Sequence, residues 1–241
     1  MSTSHILNSA GERIDVTYHP SERHDTLVII GHGVTGNKDR SLVVELAEGL
    51  AARGWSCLRM SFAGNGDSEG NFEDCTISRE IGDLKAVLET VPDWVRVIYI
   101  GHSMGGAVGV LTAVEDVRIG GLVSLAGMTH TAAFYEREFG LRTPGQDVMW
   151  EKPECPLSQA FADGMKEVGN TLEAAGKIVQ PWLLIHGEAD DVVPIQDGID
   201  AHAAAICQKR WVAVPGGDHS FDGVRHVVIA EVDAWLKAMA G

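Results

Sequence analysis

Ser103 lies in Gly101-His102-Ser103-Met104-Gly105, directly after the apolar run Val97-Ile98-Tyr99-Ile100. A small-residue helical pattern follows at once. This Gly-x-Ser-x-Gly spacing between a strand and a helix lifts a serine hydroxyl above the end of a sheet as a nucleophile. The flanking glycines are needed because a side chain at either would strike the neighbouring strand or helix. The same turn would also arise in a glycine-rich strand–helix connection with an incidental serine, so the rest of the chain must decide.

A serine hydroxyl is a poor nucleophile at neutral pH and needs a base, itself oriented by a carboxylate. In this architecture both come from loops after later strands, in the order acid then histidine. After Trp182-Leu183-Leu184-Ile185 comes His186-Gly187-Glu188-Ala189-Asp190-Asp191, and after Trp211-Val212-Ala213-Val214 comes Pro215-Gly216-Gly217-Asp218-His219. Asp190 and His219 occupy those places. Asp190 or Asp191 could instead cap the following helix, and His219 could be an ordinary loop histidine. Three such coincidences, at three strand ends and in the right order, are not expected together. The Asp-x-x-Val-Pro spacing favours Asp190 over Asp191 as the acid.

A tetrahedral intermediate also needs two backbone N–H donors. Met104, following the serine, supplies one, and Val34 in Gly31-His32-Gly33-Val34-Thr35-Gly36 supplies the other. That loop lacks the Lys-Ser or Lys-Thr of a phosphate-binding loop. His32 and His186, each before a glycine at a strand end, read as structural hydrogen-bonders.

The elements that must hold these residues follow from periodicity. The continuous β-branched and apolar run at 26–30 is what a parallel strand covered on both faces looks like, and further strands are expected at 55–60, 97–100, 119–126, 182–185 and 211–214. Helical patterns from about Asp39, Thr76, Ile195 and Asp222 alternate with them. Residues 5–19 read as a hairpin around Ser9-Ala10-Gly11. The expected fold class is α/β: an about eight-stranded, mostly parallel sheet with helices on both faces, as one domain over 1–241. The alternation fails only from Met128 to Val179, with a helical pattern over 157–176. Some 50 residues without a strand read as a cap insert over Ser103. Its Phe134, Tyr135, Trp150 and Phe161 are the expected walls of an acyl pocket.

The net charge of −15 argues against nucleic acid and against anionic membranes as partners. No apolar stretch approaches the roughly 20 residues that span a bilayer. The N-terminus, Met1-Ser2-Thr3-Ser4-His5, has no secretory pattern, which points to the cytoplasm. Cys57, Cys75, Cys155 and Cys207 lack metal spacing and read as reduced packing residues.

With these pieces assembled, the chain resembles the α/β-hydrolase superfamily along nearly its whole length. The matching segments are His32-Gly33, Gly64-Asn65-Gly66-Asp67-Ser68-Glu69-Gly70, Gly101 to Gly105, His186-Gly187 with Asp190 and Val193-Pro194, and Gly217-Asp218-His219. The run Phe62 to Asp74 resembles bacterial cinnamoyl (feruloyl) esterases, and Pro156-Leu157-Ser158-Gln159-Ala160-Phe161 is a weaker echo of them. Ser61, Asn65 and Val34 depart from those relatives, which commonly carry Asp, His or Arg, and an aromatic there. These departures touch the pocket and leave the triad intact. The resemblance implies a serine carboxylesterase acting on small or aryl esters, hydroxycinnamoyl esters among them, with no cofactor and a small-molecule ester as partner. Rival readings are a thioesterase, monoacylglycerol-lipase-like hydrolase or peptidase, a lyase or acyltransferase using the same triad, and a binding protein on a hydrolase fold.

Overall fold

The computed structural model describes residues 6–240. The chain runs β1 (Ile6–Leu7), β2 (Arg13–Ile14), β3 (Val16–His19), β4 (Arg23–Gly31), α1 (Ser41–Ala51), β5 (Trp55–Met60), α2 (Ile77–Glu89), β6 (Arg96–His102), α3 (Met104–Glu115) and β7 (Ile119–Leu125). It continues with α4 (Thr131–Phe139), α5 (Gln159–Val168), α6 (Leu172–Ala175), β8 (Trp182–Gly187), α7 (Ile195–Ala204), β9 (Lys209–Val214) and α8 (Arg225–Ala240). Among these residues no helix is long and apolar enough to cross a membrane.

The apolar runs form one sheet of seven strands in the order β3-β5-β4-β6-β7-β8-β9, parallel except for β3 against β5. The sheet has one strand fewer than expected because the N-terminal segment breaks at Asp15. Its N–H binds Ser68 Oγ and its carbonyl binds the Ser61 N–H, so β1 and β2 pair apart as a small hairpin. Asn8 Oδ1 closes that hairpin by accepting the N–H groups of Ala10 and Glu12 at 3.0 Å each.

Two cores sandwich the sheet. Alternate strand residues Leu27 and Ile29 face α2 and α3, while Val28 and Ile30 face α1 and α8. On the second face Leu42, Val43, Leu46 and Leu50 of α1 meet Val228, Val232 and Leu236 of α8. Each such side chain contributes about 1.5–3 kcal/mol by leaving water, and truncating Leu46 to Ala would cost about 2–5 kcal/mol. The four cysteines are unpaired with one another.

Helix ends differ from the periodicity where local chemistry intervenes. The pattern over 157–176 splits at Gly169, whose φ of 66° is the left-handed conformation that ends helices. Phe221 and Gly223, at φ 53° and 74°, delay α8 to Arg225. Helix α4 falls inside the stretch that lacked a readable pattern. Register then aligns the C-terminal strand ends: Gly31 pairs with Gly101, Gly101 with Ser124, and Gly187 with Val214. The loops after β4, β6, β8 and β9 thereby gather along one edge.

Candidate active site

Ser103 sits where β6 becomes α3, with φ 54° and ψ −121°. A non-glycine residue there costs about 1–3 kcal/mol and persists only if its surroundings hold it. They do: the Ser103 N–H binds Leu125 O at 3.0 Å, and its carbonyl accepts from Gly106 and Met128 at 2.9 and 3.0 Å. Glycine is required beside it, since a Cβ on Gly101 would lie 2.1 Å from Gly105 O. Ser103 faces a cavity of about 400 Å³ that His219, His102, Val34 and Trp150 also line.

His219 Nδ1 lies 2.9 Å from Asp190 Oδ2. An ionised carboxylate only accepts, so Nδ1 carries the proton and Nε2 keeps its lone pair. Ser103 Oγ and His219 share the cavity without a direct hydrogen bond, a separation common before substrate arrives. The Asp190 side chain is wholly buried. Burial works against its charge, yet hydrogen bonds from His186 and His219 and from the backbone hold its carboxyl well below the usual carboxylate range. Oδ1 accepts the N–H groups of Val192 and Val193 at 2.9 Å each, and His186 Nε2 lies 3.3 Å from Oδ2 while bonding Val193 O at 2.9 Å. Asp191 is exposed and lies clear of this network. It does not serve the next helix either, because α7 starts only at Ile195.

Across the serine, a Cβ on Gly33 would come within 2.6 Å of Ser103 Cβ, so the loop after β4 lies directly against the nucleophile turn. His32 fixes that loop: Nδ1 donates to Gly33 O at 2.9 Å and Nε2 accepts the Phe62 N–H at 3.0 Å. Burial pushes its pKa down to about 4, so the ring is neutral. Among the described residues, neither the Val34 nor the Met104 N–H has an internal partner. Unpaired donors beside a serine are what a developing oxyanion needs.

His102 was not singled out by its sequence. Its Nε2 donates to the His219 carbonyl at 2.8 Å, and the two rings stand 4.7 Å apart. Burial and the neighbouring His219 push its pKa down to about 3. A neutral His102 thus steadies the backbone that carries His219. Its place as the x before the serine in Gly-x-Ser-x-Gly was the available signal.

Of the four expected pocket aromatics, only Trp150 lines the cavity. Phe134 and Tyr135 do not, because they turn inward and pack with Phe139 and Phe161 at ring separations of 6.0–6.4 Å, binding α4 to α5. Phe161 also reaches a narrow crevice behind Val34 and Met104. Trp150 is presented by two consecutive left-handed residues, itself at φ 47° and Glu151 at φ 56°. Its Nε1 donates to Glu138 Oε2 at 3.0 Å, and its ring leans on Phe139 at 4.9 Å.

With this geometry established, known proteins can be compared. The sequence profile of the family described as serine aminopeptidase, S33 matches residues 22–146. An uncharacterized protein of Mycobacterium tuberculosis is 28% identical over 207 residues, covering 84% of this chain and 66% of its own. The chain thus spans just under two thirds of that relative's length. The mitochondrial palmitoyl-protein thioesterase ABHD10 of Mus musculus is 24% identical over 228 residues, covering 88% of this chain and 76% of its own. Among solved structures, Est1E of Butyrivibrio proteoclasticus with bound ferulic acid superposes with a TM-score of 0.86 at 23% identity, over 98% of this chain and 99% of that one.

Proposed function

Because the chain belongs to the serine aminopeptidase S33 family of α/β-hydrolases, we propose that it is a serine hydrolase that cleaves carboxylic esters through an acyl-enzyme. The observation that carries this reading is the 2.9 Å bond from His219 Nδ1 to Asp190 in the cavity that holds Ser103. Ser103 Oγ attacks the ester carbonyl while His219 Nε2 takes its proton. Asp190 holds the imidazole and stabilises the imidazolium. The Val34 and Met104 N–H groups receive the oxyanion, an interaction that strengthens as the charge develops. Collapse of the intermediate returns the His219 proton to the leaving alcohol. Water, deprotonated by the same histidine, then releases the acid and restores Ser103.

The acyl group is small or aryl. About 400 Å³ lies within the range of small-ligand sites, and the Trp150 ring gives it a flat wall. A long acyl chain, such as the mouse relative's name implies for that protein, needs an apolar tunnel. The aromatic cluster around Phe139 closes the stretch best placed to provide one.

The test is a panel of 4-nitrophenyl and hydroxycinnamoyl esters on the wild type and Ser103→Ala, with a fluorophosphonate to mark the nucleophile. Ser103→Ala should lower kcat about 10⁶-fold and abolish labelling, with the fold intact by circular dichroism. A variant that keeps most of the rate would end the acyl-enzyme reading. Best turnover of acyl chains beyond about ten carbons would overturn the size assignment.

A further inference from the structure

The chain carries a net charge of −15, yet its cavity around Ser103 is lined by Arg40, Lys152 and Arg225 against a single carboxylate, Asp222. Arg225 is already neutralised, since it pairs with both Asp222 and Glu45. Arg40 and Lys152 are different. Neither forms an ion pair among the described residues, and both converge on Thr35, the neighbour of Val34. Arg40 Nη2 donates to the Thr35 carbonyl at 2.8 Å, and Lys152 Nζ lies 3.4 Å from Thr35 Oγ1. They arrive from different segments, one from the loop after β4 and one from the segment that presents Trp150.

A third positive element faces the same space. Helix α1 begins at Ser41 with Arg40 as its N-cap, no side chain caps it, and no acid stands in its first turn. Ser41, Leu42 and Val43 line the cavity, and their N–H groups have no internal partner among the described residues. By contrast α2 and α5 are capped by Thr76 and Ser158. Two uncompensated cations beside free backbone donors favour an oxyanion such as a carboxylate or phosphate. In so acidic a protein a negatively charged substrate is otherwise repelled.

We propose that the ester substrate bears a negatively charged carboxylate or phosphate group, and that Arg40 and Lys152 bind it beside the oxyanion loop. The inference rests on the esterase reading for the word ester, but the anion subsite is tested independently of turnover.

The charge can sit on the acyl part or on the leaving alcohol, and three esters separate these. They are 4-nitrophenyl butyrate, mono-4-nitrophenyl glutarate with a charged acyl group, and 3-carboxy-4-nitrophenyl butyrate with a charged leaving group. One charged ester should exceed the neutral one in kcat/KM by at least about tenfold, the worth of one charged hydrogen bond. That ratio should fall toward one in the Arg40→Gln/Lys152→Gln double variant and at high salt. Lys152→Glu should shift preference toward butyrylcholine, a gain that a misfolded variant cannot show. In parallel, calorimetry with phenyl phosphate should detect binding to the wild type and at least about tenfold weaker binding to the double variant. Equal rates for charged and neutral esters, a ratio that survives both substitutions, or absence of phenyl phosphate binding would each overturn the proposal. Phenyl phosphate binding that depends on Arg40 and Lys152, with no turnover of any ester, would support the subsite and refute the esterase reading.

Discussion

Asp190 and Glu80 are both buried carboxyls, one bonded to His219 and one against the crevice behind Val34 and Met104, and they are treated in opposite ways. Asp190 receives donors on each oxygen: two backbone N–H groups on Oδ1, and His219 with His186 near Oδ2. Glu80, on α2, is buried against the crevice behind Val34 and Met104, and its Oε2 has no partner among the described residues. Burial, reinforced by Asp83, pushes the Glu80 carboxyl well above its usual range. Its place in the first turn of α2 favours the charged form, but only by about 0.3–1 kcal/mol. Removing an ionised carboxyl from water costs several kcal/mol, so the neutral form wins. The number of donors, not the depth of burial, decides which carboxyl is charged. Two carboxyls held in opposite states is a pattern of sites that need one permanent charge.

Of the two carboxyls, Asp190 should give the larger effect. Asp190→Asn leaves the shape but presents an amide where His219 needs an acceptor, so the wrong tautomer is stabilised and kcat should fall about 10⁴-fold. Asp191→Asn, on the exposed neighbour, should change the rate less than about twofold. Steady-state kinetics of the pair decides the matter, and greater damage from Asp191→Asn would shift the acid by one residue.

A second effect concerns buried bases. His32 and His102 have pKa values pushed down to about 4 and about 3, from an ordinary 6.5. Their folded forms bind fewer protons than the unfolded chain below pH 6.5. Their contribution to stability is therefore complete above that value and is lost as pH falls, by about 1.4 kcal/mol per unit for each histidine. The loss from His32 ends near pH 4 and that from His102 near pH 3. Asp190, with its lowered pKa, adds its loss only at more acid pH. Urea midpoints should drop between pH 6.5 and 4, and His102→Gln, which keeps a donor toward the His219 carbonyl, should lessen that slope. A slope unchanged in His102→Gln would show that the His102 ring is not held neutral.

Much of this arrangement could be read along the chain. The buried strands announce themselves by short, mostly apolar runs between turn and helix signals, and β5 occupies the expected residues 55–60. The loops bearing Ser103, Asp190 and His219 could be placed because parallel strands put their C-terminal ends on one edge. What could not be read depends on direction. Phe134, Tyr135 and Trp150 share a composition, and only the left-handed turn at 150–151 sends Trp150 outward. The service of His102 depends on a contact 117 residues away. Glu80 lies in an ordinary amphipathic helix pattern, where a polar residue is expected to face water. The meeting of Arg40 and Lys152 at Thr35 likewise joins segments that nothing local connects.

The smallest effect, and the sharpest test of the contrast, is Glu80→Gln. Glutamine has the shape of a protonated glutamate and cannot ionise. If Glu80 is neutral in the fold, the exchange should alter kcat/KM less than about threefold, because the crevice keeps its walls and the Val34 and Met104 donors stay in place. The difference lies in pH. A carboxyl whose folded pKa is raised above 4.5 gives its full stability below 4.5 and loses it as pH rises through the folded value. The wild type should therefore weaken relative to Glu80→Gln as pH increases from 5 to 9. Urea midpoints of the two proteins should nearly coincide at pH 5 and separate in favour of the variant on the alkaline side. The same exchange at Asp190 moves in the other direction, since the carboxylate lost there is stabilised by four donors. Equal midpoints at every pH, or a variant less stable at pH 9, would mean that Glu80 is ionised and has a donor, and the contrast with Asp190 would collapse.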